Sequence, residues 1–348
     1  MSEVALIAPD DPRWSRMLDQ APHDFHHLPA FVELEAERGH GAARGLWVEE
    51  SGSAVLLPLI VRALPDALGV DGQDAISPYG YPSPLFSDAS QASRASLVRR
   101  LPEALSASGL VSAFVRLHPL LDAPLEAMSR AGELIEHGPT VWIDLNDSLE
   151  AMWSQTRSSD RNRMNKLRRL GFRAYVDEDW ERIDAFVDLY SDTMEFLGAS
   201  AGYFYDRDYF ERLREALDQR LHLCVVECPE GEVVSAGVFS EIGGLVQFHL
   251  SGTRTDHRRT SPSRLMIDHM RGFAKARGAT RFHLGGGVGA AEDRLYEFKR
   301  GFSPYRAVFC SWRLVGDSDA YAAADAEAVR LGATGGEGFF PRYRRPLS

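Results

Sequence analysis

Lysine is scarce in this chain. Of its 39 basic residues only Lys166, Lys275 and Lys299 are lysines. A composition so biased makes each lysine a candidate for work a permanently charged, planar guanidinium cannot do, because an ammonium is compact and its pKa responds to burial. Lys299 stands in residues 281–302, RFHLGGGVGAAEDRLYEFKRGF. That stretch reads as a short buried strand (282–284), a glycine turn (285–289) and a helix (292–300). On a helical wheel with Leu295 at zero, Phe298 and Phe302 fall at about −60° and −20° and form an apolar stripe. Lys299 falls at about +40°, on the stripe's edge, while Asp293, Glu297 and Arg300 take the opposite half. Lys299 is therefore expected to point inward. One reading is a lysine snorkelling from a core edge. The other is a fixed cation in a dry site, which stabilises developing negative charge by about 3–4 kcal/mol per donor. A general base to accompany it would be His249, His283 or Asp293, with Asp293 the weakest because the wheel turns it outward.

Other stretches offer chemistry of a second kind. Residues 148–170 read as a helix in two pieces, ended by Gly171 as a C-cap. Between Arg157 and Arg173 it carries seven cations (Arg157, Arg161, Arg163, Lys166, Arg168, Arg169 and Arg173) against Asp160 alone. Met164, Leu167 and Leu170 form its apolar stripe, so the cations spread over the other face. Such a face is usually just solvated, yet on an acidic protein it is also the natural place for a phosphate-bearing partner. Residues 76–86, ISPYGYPSPLF, cannot be helical, since prolines at 78, 82 and 84 forbid it. They read as a rigid loop whose tyrosines either floor a ligand site or pack the loop itself. His23, His26 and His27 lack a second ligand cluster and are expected in a solvated loop rather than at a metal. Cys224, Cys228 and Cys310 lack metal spacing and read as small buried thiols.

The elements that must position these residues fall into two domains, as 348 residues exceed one ordinary core. Residues 1–44 read as helices and loops. Strands at 45–50 and 53–63 flank Glu50-Ser51-Gly52, a hairpin signal. A helix at 92–108, Gly109 and a strand at 111–117 follow, then a proline-marked connector at 119–140 and a strand at 141–145. The second half has helices at 180–197 and 210–218, a meander of strands at 221–228, 233–241 and 245–251, a helix at 261–277, the 281–302 stretch, a strand at 305–314 and a last helix at 321–331. The halves share an order, and the serine-to-glycine spacings of the matching helices (93 to 109 and 263 to 278) differ by one, which reads as two copies of one mixed α/β domain. The expected division is 1–140, completed by 318–348, and 141–317.

Net charge is −11, carried mostly by residues 1–140, where ten cations face nineteen acids. That argues against general nucleic-acid binding. The longest apolar run, 54–61, is far shorter than a membrane helix, and the N-terminus has no basic segment before an apolar run. A cytoplasmic protein is expected, with no metal.

The order of meander, helix, short strand, and helix ending in aromatic-Lys-x-x-Phe resembles the acetyltransferase (GNAT) superfamily. Over nearly its whole length the chain is similar to the Fem family of aminoacyl transferases, which contain two tandem GNAT-like domains. The resemblance is carried by 77–84 (SPYGYPSP), the basic run 161–173, 189–194 (LYSDTM) with 203–210, 248–253 (FHLSGT), and 284–287 (LGGG) followed by Leu295-x-x-Phe298-Lys299-x-x-Phe302. It implies an α/β fold of two GNAT-like domains with mixed, largely antiparallel sheets flanked by helices. It implies an enzyme that moves an amino acid from an aminoacyl-tRNA to an amine acceptor, a peptidoglycan precursor or a natural-product intermediate. Lys299 matches the family's lysine at the reacting ester carbonyl. Aminolysis of an ester passes through a tetrahedral oxyanion, the charge Lys299 would stabilise, with His249 a candidate base beside His283, Asp293 or the substrate itself. Phe298, Phe248, Ser251, Tyr79, Tyr81, Tyr203, Tyr205 and His283 would contact substrate, and Arg157, Arg161, Arg163, Lys166, Arg168, Arg169, Arg259 and Arg264 would meet tRNA phosphates. No cofactor is expected, the aminoacyl-tRNA being a co-substrate, and the protein would be a monomer or dimer.

Two departures bear on this. GNAT enzymes cradle the coenzyme A pyrophosphate in an Arg/Gln-x-x-Gly-x-Gly/Ala turn opening a helix. The matching run, 259–264 (RTSPSR), has neither glycine, and Pro262 removes an amide. Relatives carry an arginine where this chain has Phe196. An acyl-CoA N-acyltransferase and a non-catalytic ligand-binding protein remain as alternatives. The missing cradle speaks against the first and Lys299 against the second.

Overall fold

The chain divides into two units, Met1–His137 with Phe309–Ser348, and Gly138–Val308. The computed structural model describes residues 2–88, 90–336 and 338–346. Part of the segment expected at 318–348 therefore lies outside the described residues.

The first unit opens on a strand, where helices and loops were expected. β1 (Ser2–Ile7) pairs antiparallel with β2 (Ala42–Glu50). Its sequence lacks a one-sided alternation because both faces are covered: Val4 and Leu6 pack into one core, Ala5 and Ile7 into another. α1 (Pro12–Gln20) and α2 (Pro29–Arg38) supply Trp14, Met17, Val32 and Ala36 to the second of these cores. The expected hairpin is present. β3 (Ser53–Ala63) follows β2 through Ser51 and Gly52, both at positive φ (53° and 84°), the geometry whose twist suits a two-residue hairpin. β4 (Gln73–Ile76) and β5 (Leu85–Phe86) pair with β3. α3 (Gln91–Ala107) ends at Gly109, φ 72°, and leads into β6 (Leu110–Arg116), parallel to β4. The stretch expected to be an irregular connector holds α4 (Leu125–Ala131), which starts on Pro124, and most of β7 (Glu133–Asp144), which carries the chain into the second unit.

The histidines of the first unit are the main correction here. His26 and His27 are 1% and 0% exposed, not solvated. His26 Nδ1 lies 3.1 Å from Asp24 Oδ2, and both ring nitrogens of His27 are hydrogen-bonded. Asp24 N–H donates to His27 Nδ1 (3.1 Å) and His27 Nε2–H donates to the Ser83 carbonyl (3.0 Å). His118 Nε2–H donates to Asp24 Oδ2 (3.2 Å), and His118 N–H to Ser83 Oγ (2.6 Å). Burial pushes the His27 pKa down to about 3, so the ring is neutral. The network ties the proline-rich loop before β5 to the body of the unit.

In the second unit, α5 (Leu149–Gln155) and α6 (Ser158–Arg169) are the two expected helical pieces. β8 (Arg173–Val176), α7 (Ile183–Leu197) and α8 (Arg207–Leu217) precede the meander β9 (Leu221–Glu227), β10 (Val233–Ile242) and β11 (Leu245–Thr253). α9 (Ser263–Ala276) then crosses to β12 (Arg281–Gly285), parallel to β11, repeating the β4–α3–β6 arrangement of the first unit. Strand order is β7-β12-β11-β10-β9-β8 in this unit. After α10 (Arg294–Lys299), β13 (Arg306–Val315) returns to the first unit to pair with β6, and α11 (Ser318–Arg330) packs Tyr321, Ala324 and Ala328 against Leu64, Leu68 and Val111. No helix among the described residues is long and apolar enough to cross a membrane. The three cysteines are free and buried.

Candidate functional site

α10 and the glycine turn form one corner of the second unit. Asp293 caps the helix. Its Oδ1 accepts from Tyr296 N–H (2.9 Å) and its Oδ2 from Val288 N–H (3.0 Å), so one carboxylate joins the helix start to the turn. Position 287 must be glycine, since a Cβ there would lie 2.1 Å from the Ala291 carbonyl oxygen and 2.3 Å from Asp293 Oδ1. The expectation that Asp293 faces water is thereby corrected. So is the phase of the helix. Leu295, taken as the centre of the apolar stripe, is 39% exposed, whereas Tyr296 and Lys299 are buried. A helix of six residues is oriented by what anchors its two ends rather than by a stripe along it. Phe302 still reaches the core, but from the turn beyond the helix, with Phe298 edge-on to it at 5.5 Å.

Lys299 points inward, 9% exposed. Its ammonium donates to the Gly286 carbonyl (2.7 Å) and lies 5.9 Å from the Phe248 ring centroid. Burial pulls its pKa from 10.5 down to about 8, opposed by the charge of Asp293. At neutral pH it remains a cation, with one proton bonded to Gly286 and two left to offer. The far end of α10 is locked as well. Arg157 N–H donates to the Gly301 carbonyl (2.7 Å), and Asp160 presses on Gly301 so closely that a Cβ would sit 2.3 Å from its Oδ2. Arg264 Nε–H donates to Asp160 Oδ1 (2.8 Å) and lays its guanidinium 4.9 Å over the Phe298 ring.

β11 borders this corner and is irregular there. Phe239 faces Phe248 and Val238 faces Leu250, so His249 is the extra residue of a bulge. Bulges re-aim side chains and are frequent beside active sites. The parallel ladder between β11 and β12 ends at Gln247 and His283, so the two strands part at Phe248. His283 is fully buried in β12, with Nδ1 2.7 Å from Gln247 Oε1. Ser251 and His249 are half-buried on β11. α7 crosses the same strand at Gly252, where a Cβ would meet the Leu189 carbonyl at 2.3 Å, and Thr193 Oγ1 accepts from Thr253 N–H (3.1 Å). The LYSDTM and FHLSGT stretches thus dock on one another. Tyr203 is exposed, whereas Tyr205 is buried, 4.2 Å from Tyr209, which makes it part of the unit's aromatic core. Tyr79 and Tyr81 belong to the first unit, where the Tyr81 ring meets His26, His118 and Phe309 at 5.3–5.8 Å.

The cations divide into two sets. Arg161 is spent on the Trp153, Ser154 and Thr156 carbonyls at the end of α5, Arg168 pairs with Asp268, Arg157 pairs with Glu297, and Arg264 is buried against Asp160. Arg163, Lys166 and Arg169 on α6, with Arg259 before α9, are exposed. A groove of about 920 Å³ lined by Trp153, Arg168, Arg173, Phe172 and Phe273 opens on the outer side of α9 and shares no lining residue with the Lys299 corner.

The turn before α9 is closed on itself. Thr260 N–H and Ser261 N–H donate to the His257 carbonyl (3.0 and 3.1 Å), Arg264 N–H to Ser261 (3.2 Å) and Leu265 N–H to Pro262 (2.8 Å). Pro262 has no N–H. The Thr260, Ser261 and Arg264 amides are thus taken, which leaves few N–H groups in this run to face an anion.

Residues 154–300 match the model of the acetyltransferase (GNAT) domain. No curated protein sequence matches the chain. Among solved structures it is similar to FemX (TM-score 0.69, 15% identity, covering 92% of this chain and 99% of that one). It is also similar to the C-terminal domain of a putative lysylphosphatidylglycerol synthetase from Agrobacterium fabrum (TM-score 0.55, 15% identity, 97% and 98%). A third is L-PGS from Bacillus licheniformis (TM-score 0.55, 16% identity, 93% and 97%). At such identities the likeness is one of fold. The chain has the fold of FemX over nearly its whole length, and its second unit holds the stretch that matches a GNAT domain.

Proposed function

We propose that the protein is an aminoacyl-tRNA-dependent aminoacyltransferase that joins an amino acid to an amine acceptor, a peptidoglycan precursor or a natural-product intermediate. The observation that carries the choice of donor is the turn before α9. Its Thr260, Ser261 and Arg264 amides are bonded internally and Pro262 has none, so it has little to offer the pyrophosphate of coenzyme A. The exposed cations of α6 suit the phosphates of an RNA instead.

In this reading the acceptor nitrogen attacks the ester carbonyl carbon of the aminoacyl-tRNA. Charge develops on the carbonyl oxygen, and Lys299 meets it with the protons not bonded to Gly286. Stabilisation of an oxyanion by one fixed donor is worth about 3–4 kcal/mol. The C–N bond is kept, the ester C–O bond breaks, and the terminal ribose hydroxyl of the tRNA departs with a proton while the amine gives one up. His249, re-aimed by its bulge, is the residue assigned to carry that proton. Phe248 and Phe298 flank Lys299 and exclude water.

The test mixes the protein with candidate amines and either charged tRNA or acyl-CoA, following amide formation by mass spectrometry. RNase-sensitive product supports the reading, and product from acyl-CoA alone refutes it. Lys299→Met with undiminished turnover would remove the catalytic assignment whichever donor is used.

A further inference from the structure

We infer that Asp293 is the positioning residue of this site: its carboxylate holds the glycine turn that presents the Gly286 carbonyl to Lys299, and its charge keeps the Lys299 ammonium protonated. The inference rests on the reading of Lys299 as the oxyanion-stabilising cation and adds the residue that sets both its place and its charge.

The geometry is a short relay. Asp293 grips the turn through Val288 N–H and the helix through Tyr296 N–H. Gly287 lies against the same carboxylate, close enough to forbid a Cβ. Gly286, the next residue back, is the one whose carbonyl takes the Lys299 proton. A carboxylate that moved would take the turn with it, and the lysine would lose the carbonyl that places it. The surrounding charges leave this role to Asp293. On α10 itself, Glu297 and Arg300 pair with each other (2.8 Å) on the outer side, and Arg294 is exposed. From α9, Arg264 is matched by Asp160 of α6, and Arg157 is matched by Glu297. Arg306 donates to the Tyr296 hydroxyl (3.0 Å). His249 on β11 and His283 on β12 border the corner, the latter against Gln247. Glu292 is exposed to solvent. Asp293 is the acid turned into the corner. Its carboxyl stays below the usual range: burial raises it, but the Tyr296, Val288 and Leu295 amides and the Lys299 charge outweigh that.

The composition makes the test direct. With only three lysines, selective ¹³C labelling of lysine gives a spectrum in which Lys299 is assigned by its loss in Lys299→Met. Asp293→Asn keeps one acceptor for the N-cap bond while removing the charge and the second oxygen that holds the Val288 amide. The expected result is a Lys299 titration midpoint lower by about one pH unit. The alkaline limb of the kcat/KM profile moves down by the same amount, and Asp293→Glu recovers part of both. A helix cap with no further role predicts no change in midpoint for Asp293→Asn, and that result overturns the inference. Failure of the wider reading looks different. Full turnover in Lys299→Met would dismiss Lys299 as catalytic while leaving the shifted midpoint of Asp293→Asn in place.

Discussion

The most informative perturbation of this protein is the removal of one buried charge while pH is varied. Lys299 titrates at about 8 when folded, against 10.5 when unfolded. A depressed lysine means that the folded state binds fewer protons than the unfolded state between those two values, so stability rises with pH through that window. Below pH 8 both states are charged, and the folded state carries the whole cost of the buried ammonium, about 3 kcal/mol at about 1.4 kcal/mol per pH unit. Linkage over these two values gives the wild type a gain of about 2.5 kcal/mol from pH 7 to pH 10, roughly half of it by pH 9. Lys299→Met lacks this term. At pH 7 its absolute stability is expected to change little, because relief of the buried charge is offset by the orphaned Gly286 carbonyl, about 1–3 kcal/mol. The slope is what distinguishes the two proteins. Urea unfolding of both at pH 7, 8, 9 and 10 gives a difference curve in which tyrosines and the other lysines cancel. A wild-type curve that climbs away from the variant's supports the buried cation. Parallel curves would show that Lys299 is solvated in the folded state and refute the argument.

Three further outcomes follow from the geometry. His27 is held neutral, at about 3 against an ordinary 6.5, so the unfolded state takes up the proton first and stability falls as pH drops below 6.5. His27→Gln is expected to lack about 2 kcal/mol of the wild type's loss between pH 7 and 5, read from urea midpoints, and an identical loss in both would sink the assignment. Gly301→Ala puts a Cβ 2.3 Å from Asp160 Oδ2 and should cost about 1–3 kcal/mol together with most of the activity. A stable, active variant would mean α10 is not locked to α6. Replacing exposed Lys166 and Arg169 by alanine should leave folding untouched but lower the salt slope of tRNA binding by about one per cation, measured by filter binding from 50 to 200 mM salt. An unchanged slope would take the RNA off this helix face.

Much of the architecture was legible because short-range chemistry dictated it. Ser51-Gly52, Gly109, Gly171 and Gly278 all sit where a turn or cap needs positive φ, and the meander and crossover helices follow from them. β1 was missed because a strand covered on both faces loses its alternation. The burial of His26 and His27 was missed because Ser83, the partner of His27, and His118, the partner of the neighbouring Asp24, lie 56 and 94 residues away and no local pattern announces them. At the site, the inward placement of Lys299 was expected from the helical wheel, and the structure buries it. Asp293 was misjudged because a wheel treats the N-cap as part of the helix, whereas the cap residue leaves helical geometry (φ −89°, ψ −169°) and turns its side chain back on the first turn. Arg161 and Arg264 were taken for phosphate ligands because sequence shows charge but not the carbonyls and carboxylates that consume it.

That last point also explains why a chain so rich in arginine keeps a lysine at position 299. A guanidinium brings five donors in a rigid plane and cannot shed its charge. The Lys299 corner presents the Gly286 carbonyl, the Phe248 ring and the close-packed residues of the core, too few acceptors for that fork. An ammonium needs one fixed acceptor to be placed and keeps protons in hand for a charge that appears only during reaction. Its burial is also survivable, since its pKa falls towards neutrality instead of the fold bearing an unyielding charge. Arginine serves where the partner is permanent, as Arg264 does with Asp160. On the proposed reading lysine serves where the partner is transient, and the one buried lysine sits at the end of the helix that Asp293 and the glycine turn hold in place.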